Sequence, residues 1–527
     1  MKKIIMNLII TTIVGFISFY LFLPALNINN MGFWIYIIFL IITYQALDFI
    51  SNYYSYVLKN NRLKKKSYTL LITPIIILLI TIINTFSGPL FNSKKYATRI
   101  TVDQTKKFEE NIKEVDFSKL PLLDKTSSQK LGDRVMGQMS DMVSQYYVSN
   151  LYTQINYNNQ IIRVTPLEYA SFIKWVTNRK EGIKGYITVN SNNGETKIHR
   201  LEKGMKYVES GYFNDNLYRK LRFNYPTENF GKISFEIDNE ANPYWVVPTI
   251  KYHSIGLRRE VSGVIILNAI TGESTKYKVG EIPTWIDQAY SAELVIEQVN
   301  DWGTYQGGYF NSIFAQKNVV NTTEGYNYLA MEDDIYLYTG LTSIVSDESN
   351  LGFILTNMRT GETSFYNTPG AEEFSAMDSA EGAVQQMNYE STFPLLINLN
   401  GKPTYLVSLK DDAGLVKMYG FVDVADYQKV VVTDANKGID VAVKNYLGDE
   451  KLGLESGNIK EENIKIKNII TATINGNTHY YIEADNNKKY KLSINLSDKL
   501  PFLKNGNTIK IGYIIEDEII EVKKVFN

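Results

Sequence analysis

Few residues in this 527-residue chain are of a type and spacing that could do covalent chemistry. The three histidines, His199, His253 and His479, lie in three separate regions. None stands beside a carboxylate at metal-ligand spacing, so no zinc site is expected. Cysteine is absent, which removes thiol nucleophiles, thiolate metal ligands and disulfides together. Ser127-Ser-Gln-Lys130 matches the Ser-x-x-Lys pattern of acyl-transfer enzymes, but no Lys-Thr-Gly motif accompanies it. Glu332-Asp333-Asp334 and Asp411-Asp412 are the densest acidic runs. Neighbouring acids on a strand point to opposite faces, and no Asp-x-Asp-x-Asp-Gly loop surrounds them, so they read as turn residues. There is no phosphate loop or dinucleotide fingerprint. No catalytic, metal or cofactor-binding residue is therefore expected, and the chain reads as a non-enzyme. The 38 tyrosines and five tryptophans remain. Rings with an apolar body and a polar tip suit binding, and Trp245, Trp302, Tyr326 and Tyr328 are the expected binding residues.

Any such site must be carried by a chain tethered to a membrane. Ile4 to Leu26, Met31 to Leu47 and Ser67 to Phe91 carry no charge. A helix needs about 20 apolar residues to cross the hydrocarbon core, and only closed backbone hydrogen bonding survives there. The spacing predicts three transmembrane helices over 4–26, 31–50 and 67–88. Lys59, Arg62, Lys64, Lys65 and Lys66 crowd the second connection, and Lys2 and Lys3 precede the first span. Basic loops stay in the cytoplasm. The expected protein is a multi-pass cell-membrane protein with a cytoplasmic N-terminus and a large extracellular C-terminal domain. A cleaved signal peptide fits less well, because the first apolar stretch is long and two more follow.

Residues beyond 87 hold 48 basic and 55 acidic side chains, a net of −7. That excludes the clustered positive charge that nucleic acid rewards. A body of 440 residues without disulfides must be held by its cores, and it is long enough for more than one. Many Lys, Ile and Asn with little Gly and Pro fit an AT-rich Gram-positive source.

The strongest internal signal is a duplication. Gly263-Val-Ile-Ile-Leu-Asn268-Ala-Ile-Thr271-Gly272-Glu273-Ser-Thr-Lys-Tyr277 aligns without gaps on Gly352-Phe-Ile-Leu-Thr-Asn357-Met-Arg-Thr360-Gly361-Glu362-Thr-Ser-Phe-Tyr366, with seven of fifteen positions identical. Downstream, Ser291-Ala292-Glu293 and Gln298 align on Ser379-Ala380-Glu381 and Gln386 at nearly the same offset, the mark of duplicated units. A looser copy stands at Asn190-Ser-Asn-Asn193-Gly194-Glu195. Each motif runs an apolar strand into a turn where Gly supplies a positive φ and Asn bonds the backbone ahead of it. Phe235-Glu-Ile237 to Val247 and Phe393 to Val407 read as further hairpins.

These strand-turn-strand units, expected to be followed by a helix, resemble the PepSY-type domains of bacterial envelope proteins, where a strand ends in an Asn/Asp-x-x-Thr-Gly-Glu turn. The resemblance covers about 234–430, with a longer run before the turn than in simple PepSY domains. Pro121-Leu-Leu-Asp124, Thr323-Glu-Gly-Tyr-Asn-Tyr-Leu329 and Lys410 to Tyr419 also resemble a Gram-positive membrane-protein family loosely labelled cell-shape-determining or colicin-V-production-like. That likeness implies a place in the envelope and no defined activity. The PepSY likeness implies an inhibitor or regulator of an envelope peptidase or sensor kinase.

The expected organisation is a stalk over 92–132, an α+β region over 133–232, and PepSY-like units over 233–320 and 321–433. A helix and linker over 434–462 then lead to a small β-barrel of the OB or SH3 kind over 463–527. Thr165-Pro166-Leu167-Glu168 predicts a helix start, with Leu167, Ala170, Ile173 and Val176 at helical spacing. Five short strands after Asn463, with turns at Asn475-Gly476 and Asn486-Asn487, predict the barrel. The leading expectation is a non-enzymatic scaffold or binding protein of the cell envelope, partnered by the membrane and by an envelope protein or wall polymer, with no cofactor and no nucleic acid. The PepSY-type regulator is second and an envelope hydrolase third.

Overall fold

A computed structural model describes residues 2–59, 68–139, 141–344, 346–447, 460–474, 477–497, 499–513 and 519–526. The chain forms two compact units, Met1–Val432 and Thr433–Asn527.

In the first unit, α1 (Lys2–Phe22) and α2 (Met31–Lys59) are long and apolar enough to cross a membrane. Their flanks expose Ile9, Ile13, Phe16, Ile35 and Ile42. The third apolar segment differs from the single helix expected. It is a 3-10 turn (Tyr68–Leu71) running into α3 (Ile72–Ser87), and α4 (Pro89–Ala97) leaves at a 51° bend. Gly88 is extended (φ −72°, ψ 174°), as the residue before a proline prefers, and Pro89 starts the new helix where no N–H is needed. Arg62, Lys64, Lys65 and Lys66 lie outside the described residues.

The turn between α1 and α2 is fixed to the water-soluble body. Leu26 N–H donates to Pro226 O (2.8 Å), Asn27 Nδ2 to Thr227 O (3.1 Å), Asn30 Nδ2 to Asn229 Oδ1 (2.8 Å), and Gly256 N–H to Asn29 O (2.8 Å). Arg219 Nε and Arg222 Nε donate to Tyr20 O (3.3 Å) and Leu23 O (3.0 Å).

Residues 92–132, expected to stand off as a stalk, instead fold back on the body. They contain β1 (Val102–Asp103), α5 (Phe108–Asn111) and the start of α6 (Lys125–Gly137). Val115 N–H donates to Asn398 O (3.0 Å), Ser408 Oγ to Leu122 O (3.0 Å), and Lys410 pairs with Asp124 at 2.7 Å.

The body is built from four antiparallel meanders. Sheet I holds β2 (Tyr146–Val148), β3 (Thr153–Tyr157), β4 (Gln160–Tyr169), β5 (Ile183–Asn190) and β6 (Thr196–Met205), with α7 (Phe172–Asn178) between β4 and β5. After α8 (Leu217–Asn224), sheet II holds β7 (Ser234–Ile237), β8 (Pro243–Tyr252), β9 (Arg259–Asn268) and β10 (Ser274–Lys278). After α9 (Ala292–Tyr305), sheet III holds β11 (Val320–Thr322), β12 (Asn327–Met331), β13 (Asp334–Ser343), β14 (Ser346–Asn357) and β15 (Thr363–Tyr366). β1 joins β15 in parallel, and β16 (Gly370–Ala371) pairs with β14. After α10 (Glu373–Gly382), sheet IV holds β17 (Glu390–Ser391), β18 (Leu395–Leu399), β19 (Lys402–Lys410), β20 (Val416–Asp423) and β21 (Val430–Asp434).

In all four sheets the first strand is broken, and one backbone N–H just past its leading piece donates to the second strand. The pairs are Ser149 to Pro166 O, Gly231 to Pro248 O, Thr323 to Gly340 O and Thr392 to Ser408 O. The last hairpin of each sheet also closes alike. The side-chain oxygens of Asn190, Asn268, Asn357 and Asp423 each accept the N–H groups two and three residues ahead. Gly194, Gly272 and Gly361 have φ of 76°, 72° and 78°, in the left-handed region where a Cβ is penalised. The two copies and the looser third are thus one turn, and sheet IV is a fourth copy in which Asp replaces Asn.

The helical half of the duplication does not hold. Ser291 caps α9, its Oγ accepting from Leu294 N–H at 3.3 Å, whereas Ser379 lies late in α10 and donates to Ser375 O at 2.8 Å. α9 and α10 pack on the sheets that follow them, III and IV. The helix predicted from Thr165 is also corrected: Gln160–Tyr169 is β4, and the helix starts at Phe172 behind Ser171. Pro166 fits a strand because its carbonyl, and so its missing N–H, face the break between β2 and β3, where no ladder donor is required.

Sheets I and II share a core around Trp175, Tyr186, Phe235 and Trp245, all essentially without solvent exposure. In the second unit, α11 (Ile439–Leu447) occupies the expected helix. β22 (Lys460–Ile474), β23 (Asn477–Ala484), β24 (Lys489–Ser493), β25 (Thr508–Tyr513) and β26 (Ile519–Phe526) close a barrel in the order β22-β23-β24-β26-β25. β22 pairs with both β23 and β25, and β24 runs parallel to β26, giving a five-stranded Greek-key barrel of the OB kind. Asn487 (φ 60°) makes the β23–β24 turn; Asn475-Gly476 lies outside the described residues.

The Asn turns should differ in strength. Asn268→Ala is expected to cost about 1 kcal/mol, the usual net worth of such bonds. Asn357 is buried and also donates to Asp334 Oδ2 at 2.8 Å, so Asn357→Ala should cost about 2–3 kcal/mol. Urea unfolding of the two variants in detergent checks the order.

Candidate functional site

A cleft of about 460 Å³ opens where the broken first strands of sheets I, III and IV approach one another beneath residues 106–120. Sheet I contributes Asn156, sheet III Ala330, Glu332 and Tyr336, and sheet IV Asn398. Lys113 and Lys119 lie at its edge, paired with Glu332 (3.3 Å) and Asp116 (3.9 Å). Both are exposed ion pairs, worth little to stability and easily exchanged for a ligand.

The floor carries polar atoms that the protein leaves unsatisfied. Asn398 is 5% exposed; its Nδ2 donates to Ile112 O at 2.6 Å, and its Oδ1 has no partner. Asn156 is alike: Nδ2 donates to Glu332 O at 3.3 Å and Oδ1 is buried and unpartnered. Buried amide oxygens normally find donors. Both oxygens lie beneath the cleft surface without solvent exposure, so they belong to its packing and not to its open face.

Behind Asn156 sits a closed pair of acids. Asn156 N–H donates to Asp287 Oδ2 at 2.7 Å. Glu236 accepts from Asp287 N–H (2.8 Å), Gln288 N–H (3.2 Å) and Ser234 Oγ (2.7 Å). Burial pushes the Glu236 carboxyl up to about 7 against those bonds. Burial and then the charge of Glu236 hold Asp287 well above the usual carboxylate range, and its Oδ1 has no partner. At 0% and 2% exposure neither acid reaches a ligand in the cleft.

The residues singled out in the sequence fall elsewhere. Trp245 is wholly buried, its Nε1 donating to Tyr207 O at 2.7 Å, so it is a core residue. Trp302 is half-buried against the α9–sheet III core. Tyr326 and Tyr328 do meet, edge to face at 5.6 Å; Tyr326 is 38% exposed, and burial raises the Tyr328 phenol. Neither lines the cleft. Ser127 Oγ and Lys130 Nζ donate separately to Gly414 O and Ala413 O, so they do not form a nucleophile and base. Glu332 makes the β12–β13 turn (φ 58°), Asp334 is held bidentately by Arg359, and Asp411 caps its own turn by accepting from Leu415 N–H. His199 bonds Thr188 Oγ1 at 2.8 Å, and His253 pairs with Glu260 at 2.6 Å. Among the described residues no group of three His, Asp or Glu is placed to hold a metal. Sequence reasoning missed Asn156, Glu236 and Asn398. For Asn398 the signal is a lone polar residue inside an apolar strand, Leu395-Leu-Ile-Asn398-Leu.

No family model and no curated protein sequence matches the chain. Among solved structures, Trypanosoma rangeli sialidase in complex with 2,3-difluorosialic acid aligns at 7% identity and a TM-score of 0.17, over 72% of this chain and 53% of that one. The chain thus spans about half the sialidase's length. An exo-β-1,3-galactanase from Clostridium thermocellum aligns at 9% identity and a TM-score of 0.18, over 71% and 72%. TM-scores this low do not show a shared fold.

The acids predict a pH dependence. An acid whose folded pKa is raised stabilises the fold below its unfolded pKa, and that stability is lost as pH rises through the folded value. Asp287→Asn supplies an NH₂ where the protonated acid would carry its hydrogen. Its stability relative to wild type should be near zero around pH 4 and grow in its favour towards pH 7.5. Thermal unfolding of both proteins across that range checks this; a difference independent of pH counts against it.

Proposed function

We propose that this chain is a non-enzymatic binding protein of the cell envelope, anchored by three membrane crossings, that holds a wall polymer in the cleft between sheets I, III and IV. One observation carries the reading: the turn at residues 23–30 is hydrogen-bonded to the body at Pro226, Thr227, Asn229 and Gly256. A turn so bound lies on the body's side of the bilayer. α2 therefore runs away from the body, and the chain crosses once more through α3 to reach α4, which packs on α9. The basic residues between α2 and α3 put that far end in the cytoplasm, and the body outside.

The cleft supports the binding half of the reading. Tyr336 offers a ring, and Lys113 and Lys119 can meet anionic groups on a wall polymer. The two raised acids are sealed behind Asn156 and serve the fold.

Because the chain has no native cysteine, single introduced cysteines test the crossings. Ile28→Cys should react with an impermeant maleimide on intact protoplasts, and Lys64→Cys only after permeabilisation; the reverse pattern overturns the topology. For the cleft, full-length protein titrated with solubilised wall glycan should bind, and Met331→Trp, which narrows the cleft, should weaken binding at least about tenfold, or 1.4 kcal/mol, at unchanged Tm. Equal binding by both proteins would remove the cleft from the reading.

A further inference from the structure

We propose that the body also rests on the outer leaflet itself, through two apolar patches that flank the transmembrane helices and enter the headgroup–acyl boundary. The first is formed by α7 and the 3-10 turn Phe213–Asp215. Phe172, Ile173 and Val176 are 45%, 69% and 48% exposed, and Phe213 is 54% exposed. These rings and branches lie on a rigid base, because Phe172 packs edge to face on Tyr212 (4.9 Å) and Phe213 on the buried Trp175 (5.7 Å). Large apolar side chains so displayed on an ordered surface mark an interaction site.

The height of this patch is fixed by bonds to α1. Arg219 Nη1 donates to Phe213 O at 2.7 Å, while Nε of the same guanidinium donates to Tyr20 O, and its carbon lies 4.2 Å above the Tyr20 ring. Phe223, 54% exposed, packs on Phe19 and Tyr20 at 6.0 and 6.2 Å. Tyr20 is two residues from the end of a helix whose 20-residue apolar window spans about 30 Å, the thickness of the hydrocarbon core. Phe213 is therefore one arginine away from the edge of the acyl layer. Lys174 lies in α7, Lys180 just after it, and Lys220 next to Arg219 in α8, and basic side chains close in sequence to apolar ones favour an interfacial lie on anionic lipid.

The second patch is carried by the π-turn Asn311–Ala315. Phe310, Ile313 and Phe314 are 65%, 48% and 79% exposed, with Phe310 stacked on Phe314. It follows α9, whose last residue, Tyr305, meets Tyr96 of α4 at 5.9 Å, and Tyr96 Oη donates to Ser87 O, the end of α3. So this patch too is tied to the outer end of an apolar helix. Anchors on both sides would hold the body down and fix the direction in which its cleft opens. This goes beyond the wall-polymer reading, and that the leaflet is the outer one rests on the topology proposed above.

The test uses the full chain, which is free of native cysteine, in proteoliposomes of phosphatidylglycerol and phosphatidylcholine. Nitroxide labels are placed at Ile173→Cys and Phe314→Cys, and at Glu240→Cys as a control. Glu240 lies in the turn before β8, whose ten residues put about 30 Å between that turn and the docked end at Tyr252. Labels at 173 and 314 should be several-fold more accessible to oxygen than to a water-soluble nickel chelate, with the ratio inverted at 240. An aqueous signature at either patch overturns the proposal. A label shielded from both relaxants also overturns it, because protein rather than lipid then covers the surface.

Discussion

The architecture depends on two arginines that close the end of α1, a helix long and apolar enough to cross a membrane. The last carbonyls of any helix lack intrahelical donors and sit at the negative end of its dipole. At the C-terminal end of α1 those of Tyr20 and Leu23 are taken by Arg219 and Arg222, from a helix about 200 residues downstream. Arg222 is 6% exposed; its donors go to the carbonyls of Leu23, Tyr225, Pro226 and Glu228, and its face covers the Phe230 ring. Burial pushes its pKa down to about 10, so it stays charged, and charge-assisted bonds offset its desolvation. One residue thereby joins the first membrane helix, the α8 turn and sheet II.

The same economy governs the repeated sheets. Each second strand must pass a break in the first, and at each break a single N–H finds a carbonyl on strand two. That carbonyl belongs to proline in sheets I and II, glycine in III and serine in IV. A proline is tolerated because its missing donor faces the gap. Since backbone atoms make the bond, the side chains are free to vary. The repeat is thus fourfold in hydrogen bonding but only about twofold in letters. What persists in sequence is the closing turn, where a side-chain oxygen and a positive φ are both required.

This explains what could be read in advance. The apolar helices, the Asn-Gly turns and the closely spaced barrel strands each follow from local chemistry, and they were legible. The strand at Thr165 to Tyr169 was not: its proline and capping-box letters match a helix start, and only the break between β2 and β3, set by residues 149–152, makes them a strand. The residues 92–132 carry mixed charge, yet Asp124 and Ser408 bind them down through partners about 286 residues apart, which no window of sequence reveals. Trp245 was visible as an aromatic but not as core, because its burial comes from Tyr186 and Phe235 in strands of different sheets.

The cleft and the acid pair must be weighed together, since they share Asn156. Carboxylates with raised pKa commonly mark a place where protons move, and Glu236 and Asp287 are so shifted. A proton passing between them and a ligand would have to cross the Asn156 backbone, whose N–H is already donated to Asp287. Glu236 in turn is surrounded by three donors and points at none of the cleft atoms. The pair therefore acts on the cleft mechanically. It fixes the strand that carries Asn156, and with it the wall of the cleft that sheet I supplies.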